Sequence, residues 1–377
     1  MILRHIDMLL LCHIFIMSCC SLYSQCSISL LLLAMLNSVN ANLDADLQAE
    51  LETSRGKAGF EFIRRALYAK QGERDRLAGL PRDVRRRSMV RNDFDTLPPT
   101  NDDLRHIHSV LAICGLPYVR QPIDVRRFER RQGRMSLVVE AGELQSPTGE
   151  WQPQPLPYGS RARLLLLHLC SQAIRQNSPT IEIEDSLSAF IRSMGYEVTG
   201  GKNGSLSAFK SQVNALAACS MKIGVWNGER ARTIRTAPFD SLDVWFPTNP
   251  NQRMLWPSTI TFSQPFFDTL KQHALPTNIR AVRVLANSPR KLDLLFWLGY
   301  RLKHINQPLH IGWDALKEQF GSDIGRERRF RADLAADVHH ITDVFPKLAI
   351  TLTDDGLSLM PTNPSVLAIP SPKRKPI

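Results

Sequence analysis

The sequence predicts an α+β fold built from two similar units in tandem, and three observations predict it. Arg161–Asn177 has helical periodicity and leads into a short alternating segment, Ile181–Ile183, then a helix ending at Gly195, a helix from Ser205 and a long hairpin. The same order then returns: a helix over Lys291–Ile305, a strand at Leu309–Ile311, a helix ending at Gly321, a helix from about Arg326 and a closing hairpin. In each unit the third helix carries one apolar stripe, Leu206, Phe209, Val213 and Leu216 in the first and Phe330, Leu334, Val338 and Ile341 in the second. Helix, strand, helix, helix, hairpin is the order of a winged helix. Two tandem winged-helix domains are therefore expected, over 135–262 and 263–362. A basic, partly helical N-terminal region over 55–134 and an extension over 1–54 precede them, and a disordered basic tail over 363–377 follows.

Each remaining element has its own signal. Gly59–Leu80 reads as an amphipathic helix, with Phe62, Leu67 and Leu77 among many charges. Arg82–Arg91 is so basic that an irregular segment is expected. Pro98-Pro99 interrupts the chain, and Asn101 or Asp102 can cap a helix running through Leu111. Met135–Ala141 has strand character, and Gly142–Pro157, rich in proline, reads as a loop. Ser205 can cap the third helix of the first unit. Asn227-Gly228 between Met221–Trp226 and a basic stretch is a hairpin turn. Asp243–Phe246 and Thr259–Phe262 look like strands. The last hairpin is Leu348–Leu352, Asp354-Asp355-Gly356 and Leu357–Met360. From Pro361 onward the composition is that of a disordered tail.

Charge and cysteine usage narrow the function classes. The formal net charge is +11, which favours a polyanionic partner. Residues 1–54 hold 1 basic and 5 acidic groups, 55–134 hold 19 and 10, and the remainder holds 27 and 21. Positive charge is thus densest ahead of the first unit and continues into both. Cys114, Cys170 and Cys219 stand alone, with no Cys-x-x-Cys pair, so a reducing, cytoplasmic setting is expected, with Cys170 and Cys219 as buried thiols. Residues 8–36 form an uncharged run of 29 residues. It reads as a membrane span, as a signal peptide with a weak basic start, or as sequence upstream of a true start, with Met35 as a later candidate.

Catalytic and cofactor readings find little support. His106-Ile107-His108 has the form that holds a divalent metal beside a nucleophilic tyrosine, and Tyr118 follows. On the predicted helix, however, imidazoles two residues apart diverge. Gly200-Gly201-Lys202-Asn203 lacks the lysine and hydroxyl placement of a phosphate loop, and there is no Gly-x-Ser-x-Gly. No enzyme activity, metal or cofactor is expected.

The candidate residues lie where a winged helix meets duplex DNA. At the start of the second unit's third helix, Arg326, Arg328, Arg329 and Arg331 put four arginines into six residues. That helix end enters the major groove, where arginine can bond guanine bidentately. The counterparts in the first unit are Lys202, Ser205, Ser207, Lys210 and Asn214. On the wing, Arg232 and Arg235 are placed for backbone contacts. Trp226, Trp245, Trp256, Trp297 and Trp313 read as core or strand residues and not as a stacking platform.

Five segments, Arg134–Leu144 (RMSLVVEAGEL), Pro155–Cys170 (PLPYGSRARLLLLHLC), Gly201–Cys219 (GKNGSLSAFKSQVNALAAC), Trp256–Phe267 (WPSTITFSQPFF) and Leu275–Leu285, resemble the plasmid-encoded RepA family of replication initiators. The resemblance covers roughly 127–365. It implies sequence-specific binding to repeats in a plasmid origin and recruitment of host replication proteins; plasmid initiators of this architecture exist as monomers and as homodimers. The alternatives are a winged-helix transcriptional regulator and, on the strength of residues 1–36, a membrane-tethered DNA-associated structural protein.

Overall fold

The computed structural model describes residues 43–370, apart from 58, 147, 183, 195, 197–203, 227, 230 and 243–258. The proposed apolar leader, the strand expected at Asp243–Phe246, Trp245, Trp256 and Lys202 lie outside the described residues. Among those described, no helix is long and apolar enough to cross a membrane. The chain divides into two compact units, residues 1–85 and 86–377.

The first unit contains α1 (Ala45–Thr53) and α2 (Phe60–Ala78). Leu47, Leu51 and Leu67 form a small core of their own. Arg74 clamps two carboxylates ahead of and within α1, at 2.7 Å to Asp44 and 2.6 Å to Asp46. Helix α3 (Arg82–Thr96) begins at the end of this unit. Arg82–Arg91 is therefore helical and not irregular. Arginine is a good helix former, and Arg87, Val90 and Phe94 recur at helical spacing on one side of α3. Arg87 is buried against Asp343 at 3.1 Å, and the Phe94 ring stacks on Phe345 at 5.5 Å.

The second unit opens with β1 (Leu104–His108) and the short helix α4 (Ser109–Cys114), where the sequence suggests one helix. The reason is tertiary: β1 pairs antiparallel with a strand far along the chain, Leu104 opposite Asn278 and His108 opposite Ala274. Next come β2 (Arg127–Gln132), β3 (Met135–Glu140) and a small hairpin, β4 (Glu143–Gln145) with β5 (Trp151–Pro153), within the stretch read as a loop. Strands β2 and β3 pair along their whole length, so the sheet crosses the boundary drawn from the sequence at 134/135.

The first repeat follows in the expected order: α5 (Gly159–Gln176), β6 (Thr180–Glu182), α6 (Glu184–Ser193), α7 (Ser205–Ala218), β7 (Ser220–Trp226) and β8 (Ala231–Thr236). Gly204, not Ser205, is the N-cap residue of α7. Strand β9 (Phe239–Leu242), β10 (Thr259–Phe262), α8 (Gln264–His273), β11 (Ala274–Asn278) and α9 (Ile279–Leu285) lead to the second repeat. This comprises α10 (Pro289–His304), β12 (Leu309–Gly312), α11 (Trp313–Phe320), α12 (Glu327–Val344), β13 (Ile350–Thr353) and β14 (Gly356–Leu359). The repeats differ in how their strands pair. In the second, the strand after the first helix joins its own hairpin, in the order β12-β14-β13. In the first, β6 pairs with β10, which in turn pairs with β9, while the hairpin joins β3 and β2 in a sheet ordered β2-β3-β7-β8.

A strand and a short helix precede each repeat, β1–α4 and β11–α9. Each helix is capped from the strand's last residue: His108 Nδ1 accepts from the Val110 amide at 3.2 Å, and Asn278 Oδ1 from the Arg280 amide at 2.9 Å. The first long helices of the two repeats are tied by a buried ion pair. The Arg163 guanidinium donates to Asp293 Oδ1 at 2.6 Å and Oδ2 at 2.7 Å. It also donates to the carbonyls of Leu116 at 2.6 Å and Gly159 at 2.9 Å. Burial works against the charge of Arg163, but Asp293 outweighs it and its pKa is raised. Gly115 makes room for the pair: its φ is +65°, and a Cβ there would meet Asp293 Oδ2 at 2.5 Å. Gly115→Ala is expected to cost about 1–3 kcal/mol from backbone strain alone, read as a lower urea midpoint at unchanged slope.

The segment expected to be a disordered tail is ordered through residue 370. Leu367, Ala368 and Ile369 are buried, and Asn278 Nδ2 donates to the Ala368 carbonyl at 2.9 Å. The stretch carries Val366, Leu367 and Ile369, enough apolar surface to join the core; residues 371–377 lie outside the described ones. Cys114, Cys170 and Cys219 are buried free thiols, each pushed up to about 12 by burial.

Candidate DNA-binding surface

The most open of the predicted sites is the start of α12. Arg326 is its N-cap residue, and Arg326, Arg328 and Arg329 are all exposed. Their placement follows from the apolar stripe: Phe330, Leu334, Val338 and Ile341 are buried, so the intervening positions turn outward. Among the described residues Arg326 and Arg328 meet no acidic partner, while Arg329 lies 3.8 Å from Asp333. Arg331 differs. It is half-buried, bonded to Glu327, and lies over the Trp313 ring at 4.9 Å from its centroid.

The corresponding face of α7 is more covered. Ser205, Ser207, Lys210 and Asn214 are all half-buried, and only Ser211 on this helix is exposed. Burial lowers the Lys210 pKa. Asn214 Oδ1 is buried with no hydrogen-bond partner among the described residues. The residues singled out on α7 thus flank an outward face that centres on Ser211.

The wing residues fall on the four-stranded sheet. Arg235 is exposed and stands opposite Lys222, which donates to Glu140 at 2.6 Å. That bond, more than the opposing cost of desolvation, holds the Glu140 carboxyl below its ordinary range. Arg232 stands opposite Val225 in the register, three residues from Arg235. Trp297 and Trp313 are buried as expected, but Trp226 is 55% exposed at the end of β7. It is the last residue of β7 and shares the outer face of the sheet with Lys222 and Gly224, opposite the buried Met221 and Ile223.

His106 and His108 lie on β1, so they share a side of the strand and do not diverge as the helical reading requires. His108 is buried, its Nδ1 is engaged by the α4 cap, and burial holds its pKa at about 4. Burial also lowers the pKa of His106. Tyr118 is packed between two guanidiniums, Arg163 at 5.1 Å and Arg130 at 5.2 Å from the ring centroid.

Sequence reasoning missed the other half of the charged sheet. Arg127, Glu129 and Arg131 alternate along β2 on the side away from the core, and Arg134 is exposed in the turn to β3. The period-two pattern is present in the sequence, but the partner of β2 is not obvious without β3.

These features define an α+β protein with two helix–strand–helix–helix–hairpin repeats and cationic helix and hairpin termini. Residues 156–315 match the family model of the plasmid encoded RepA protein. Crystal structures of domains 2 and 3 of RctB are similar at 10% identity. One, of selenomethionine derivatives, has a TM-score of 0.43 over 67% of this chain and 97% of that one; the other has 0.40 over 61% and 82%. No curated protein matches the chain.

Proposed function

We propose that this protein is a plasmid replication initiator that binds repeats of a plasmid origin as duplex DNA and recruits host replication proteins, without catalytic chemistry of its own. Both repeats are winged helices in this reading, with α7 and α12 as recognition helices and β7–β8 and β13–β14 as wings. It is a cytoplasmic protein in a bacterial host, using no metal or nucleotide. The observation that carries the reading is the start of α12: three exposed arginines at the N-terminus of the third helix of such a repeat, in a chain whose residues 156–315 match the RepA model. That helix end is the part of the module that enters the major groove.

The test is alanine substitution at Arg326, Arg328 and Arg329 singly, with binding to origin and scrambled DNA measured across a salt titration. At least one should weaken specific binding by roughly 1–3 kcal/mol and relax discrimination at one base pair. Arg331→Ala should act on stability instead, through lost packing on Trp313. If all three exposed arginines can be removed with the ratio of specific to non-specific affinity intact, α12 does not read sequence. In the cell, loss of origin-dependent replication with the same variants separates an initiator from a protein that merely occupies the site.

A further inference from the structure

The outer face of the β2-β3-β7-β8 sheet ends in two hairpin turns, not one. Met135 at the start of β3 stands opposite Val225 at the end of β7, so the β2–β3 turn and the β7–β8 turn emerge at the same end of the sheet. The Trp226 amide donates to the Arg134 carbonyl at 2.9 Å, which ties the two turns together. With strands about 4.8 Å apart, the hairpin centres lie roughly 10 Å from each other.

Between them is a cleft of about 300 Å³. Its floor is one cross-strand row, Arg131 opposite Ser136, Ser136 opposite Gly224 and Gly224 opposite Thr233. The small residues keep the floor low, and a Cβ on Gly224 would meet Ser136 Oγ at 2.3 Å. Trp226 and Arg134 rise at the tip end. No acidic residue lines the cleft among the described residues. The Arg134 guanidinium has no partner among them, and Arg131, bonded to Glu129 at 2.8 Å through Nε, has further N–H groups to donate. Lys222 and Arg235 stand in the neighbouring row.

We propose that the β2–β3 turn is a second cationic finger beside the β7–β8 wing, and that the cleft between them takes a sugar-phosphate strand of duplex DNA. This rests on the DNA-binding reading above and adds a site to it. Arg134 and Arg131 meet successive phosphates, while the Trp226 indole forms an apolar wall against the sugar edge. Such contacts position the duplex and carry no sequence information.

The experiment uses the full chain, duplex origin DNA and scrambled duplex across a salt titration. Arg134→Ala should weaken both duplexes alike, by roughly five- to tenfold at 0.1 M salt, and reduce the salt slope by about 0.9 for the one phosphate lost. The ratio of specific to non-specific affinity should be unchanged. Arg134→Glu should weaken both further. Because Trp226 is exposed, Trp226→Phe leaves the core intact, and the part of the fluorescence change on duplex binding that it removes reports the indole in the cleft. An unchanged salt slope in both Arg134 variants, or the same fluorescence change in Trp226→Phe, overturns the second finger. If the α12 variants lose discrimination in the same assay while the Arg134 variants keep wild-type slopes, the initiator reading stands and this site does not. If wild-type protein binds neither duplex, both fall.

Discussion

Asp293→Ala is expected to destabilise the second unit by about 3–5 kcal/mol, more than Gly115→Ala does beside it. Removing one member of a buried ion pair leaves the other charged and without compensation. The Arg163 side chain is only 3% exposed and that of Asp293 4%, so water cannot take the place of the lost carboxylate. The carbonyls of Leu116 and Gly159 remain as acceptors for two of the guanidinium N–H groups, but they carry no full charge. Urea unfolding at neutral pH checks the magnitude. The pair itself is not a large source of stability, since well-packed apolar groups of similar volume often replace such pairs at little cost. Arg163→Met with Asp293→Leu should therefore recover most of what Asp293→Ala loses. A single variant as stable as wild type would show that the pair is not desolvated in solution. Because α5 and α10 are the first helices of the two repeats, the pair also links one repeat to the other. On the proposed function, the double variant should retain its fold yet bind an origin repeat with a less defined spacing between the α7 and α12 regions.

The tandem architecture was legible in the sequence because its signals are local. The stripes of α7 and α12 and the Asp-Asp-Gly turn of the last hairpin each lie within a few residues, and these elements form where expected, although Gly204 and not Ser205 caps α7. What failed was non-local. Leu104–His108 has both the apolar content of a helix and a capping Asn ahead of it, and only its pairing with Ala274–Asn278 makes it a strand. Arg82–Arg91 looks irregular because its buried position is an arginine, whose counter-charge, Asp343, lies far along the chain. The same division holds for the site. The arginines of α12 announce themselves as a run, whereas Lys222, Arg131 and Arg134 become neighbours only when β2, β3 and β7 are assembled. The half-burial of Lys210 and Asn214 has no sequence signal either, since α7 by itself places both away from its apolar stripe.

Acid should unfold this protein earlier than its carboxylates alone require, because two histidines are held neutral in the core. His108 and His168 are buried, and each has its pKa lowered from 6.5 to about 4, chiefly by burial. His273 adds repulsion at His108, and Arg105 and Arg175 add it at His168. Above about pH 6.5 neither the folded nor the unfolded chain protonates these rings, and no stability is lost. Between that value and about 4 the unfolded chain takes up protons that the folded chain does not, so stability falls as pH falls. A shift of this size corresponds to roughly 3 kcal/mol for each ring. At His108 the charge carries a second cost. Its Nδ1 accepts from the Val110 amide, and a protonated ring can no longer accept there, so the α4 cap is lost as well. Asn278 shows what can replace it, because it caps α9 from the matching place with a side chain that does not titrate. His108→Asn is therefore expected to keep the cap at neutral pH and to remove about half of the acid sensitivity. Urea unfolding free energies of wild type and His108→Asn between pH 7 and pH 4 are the measurement. Parallel curves would mean that His108 is protonated in the folded protein as readily as in the unfolded chain, and that its burial does not persist in solution.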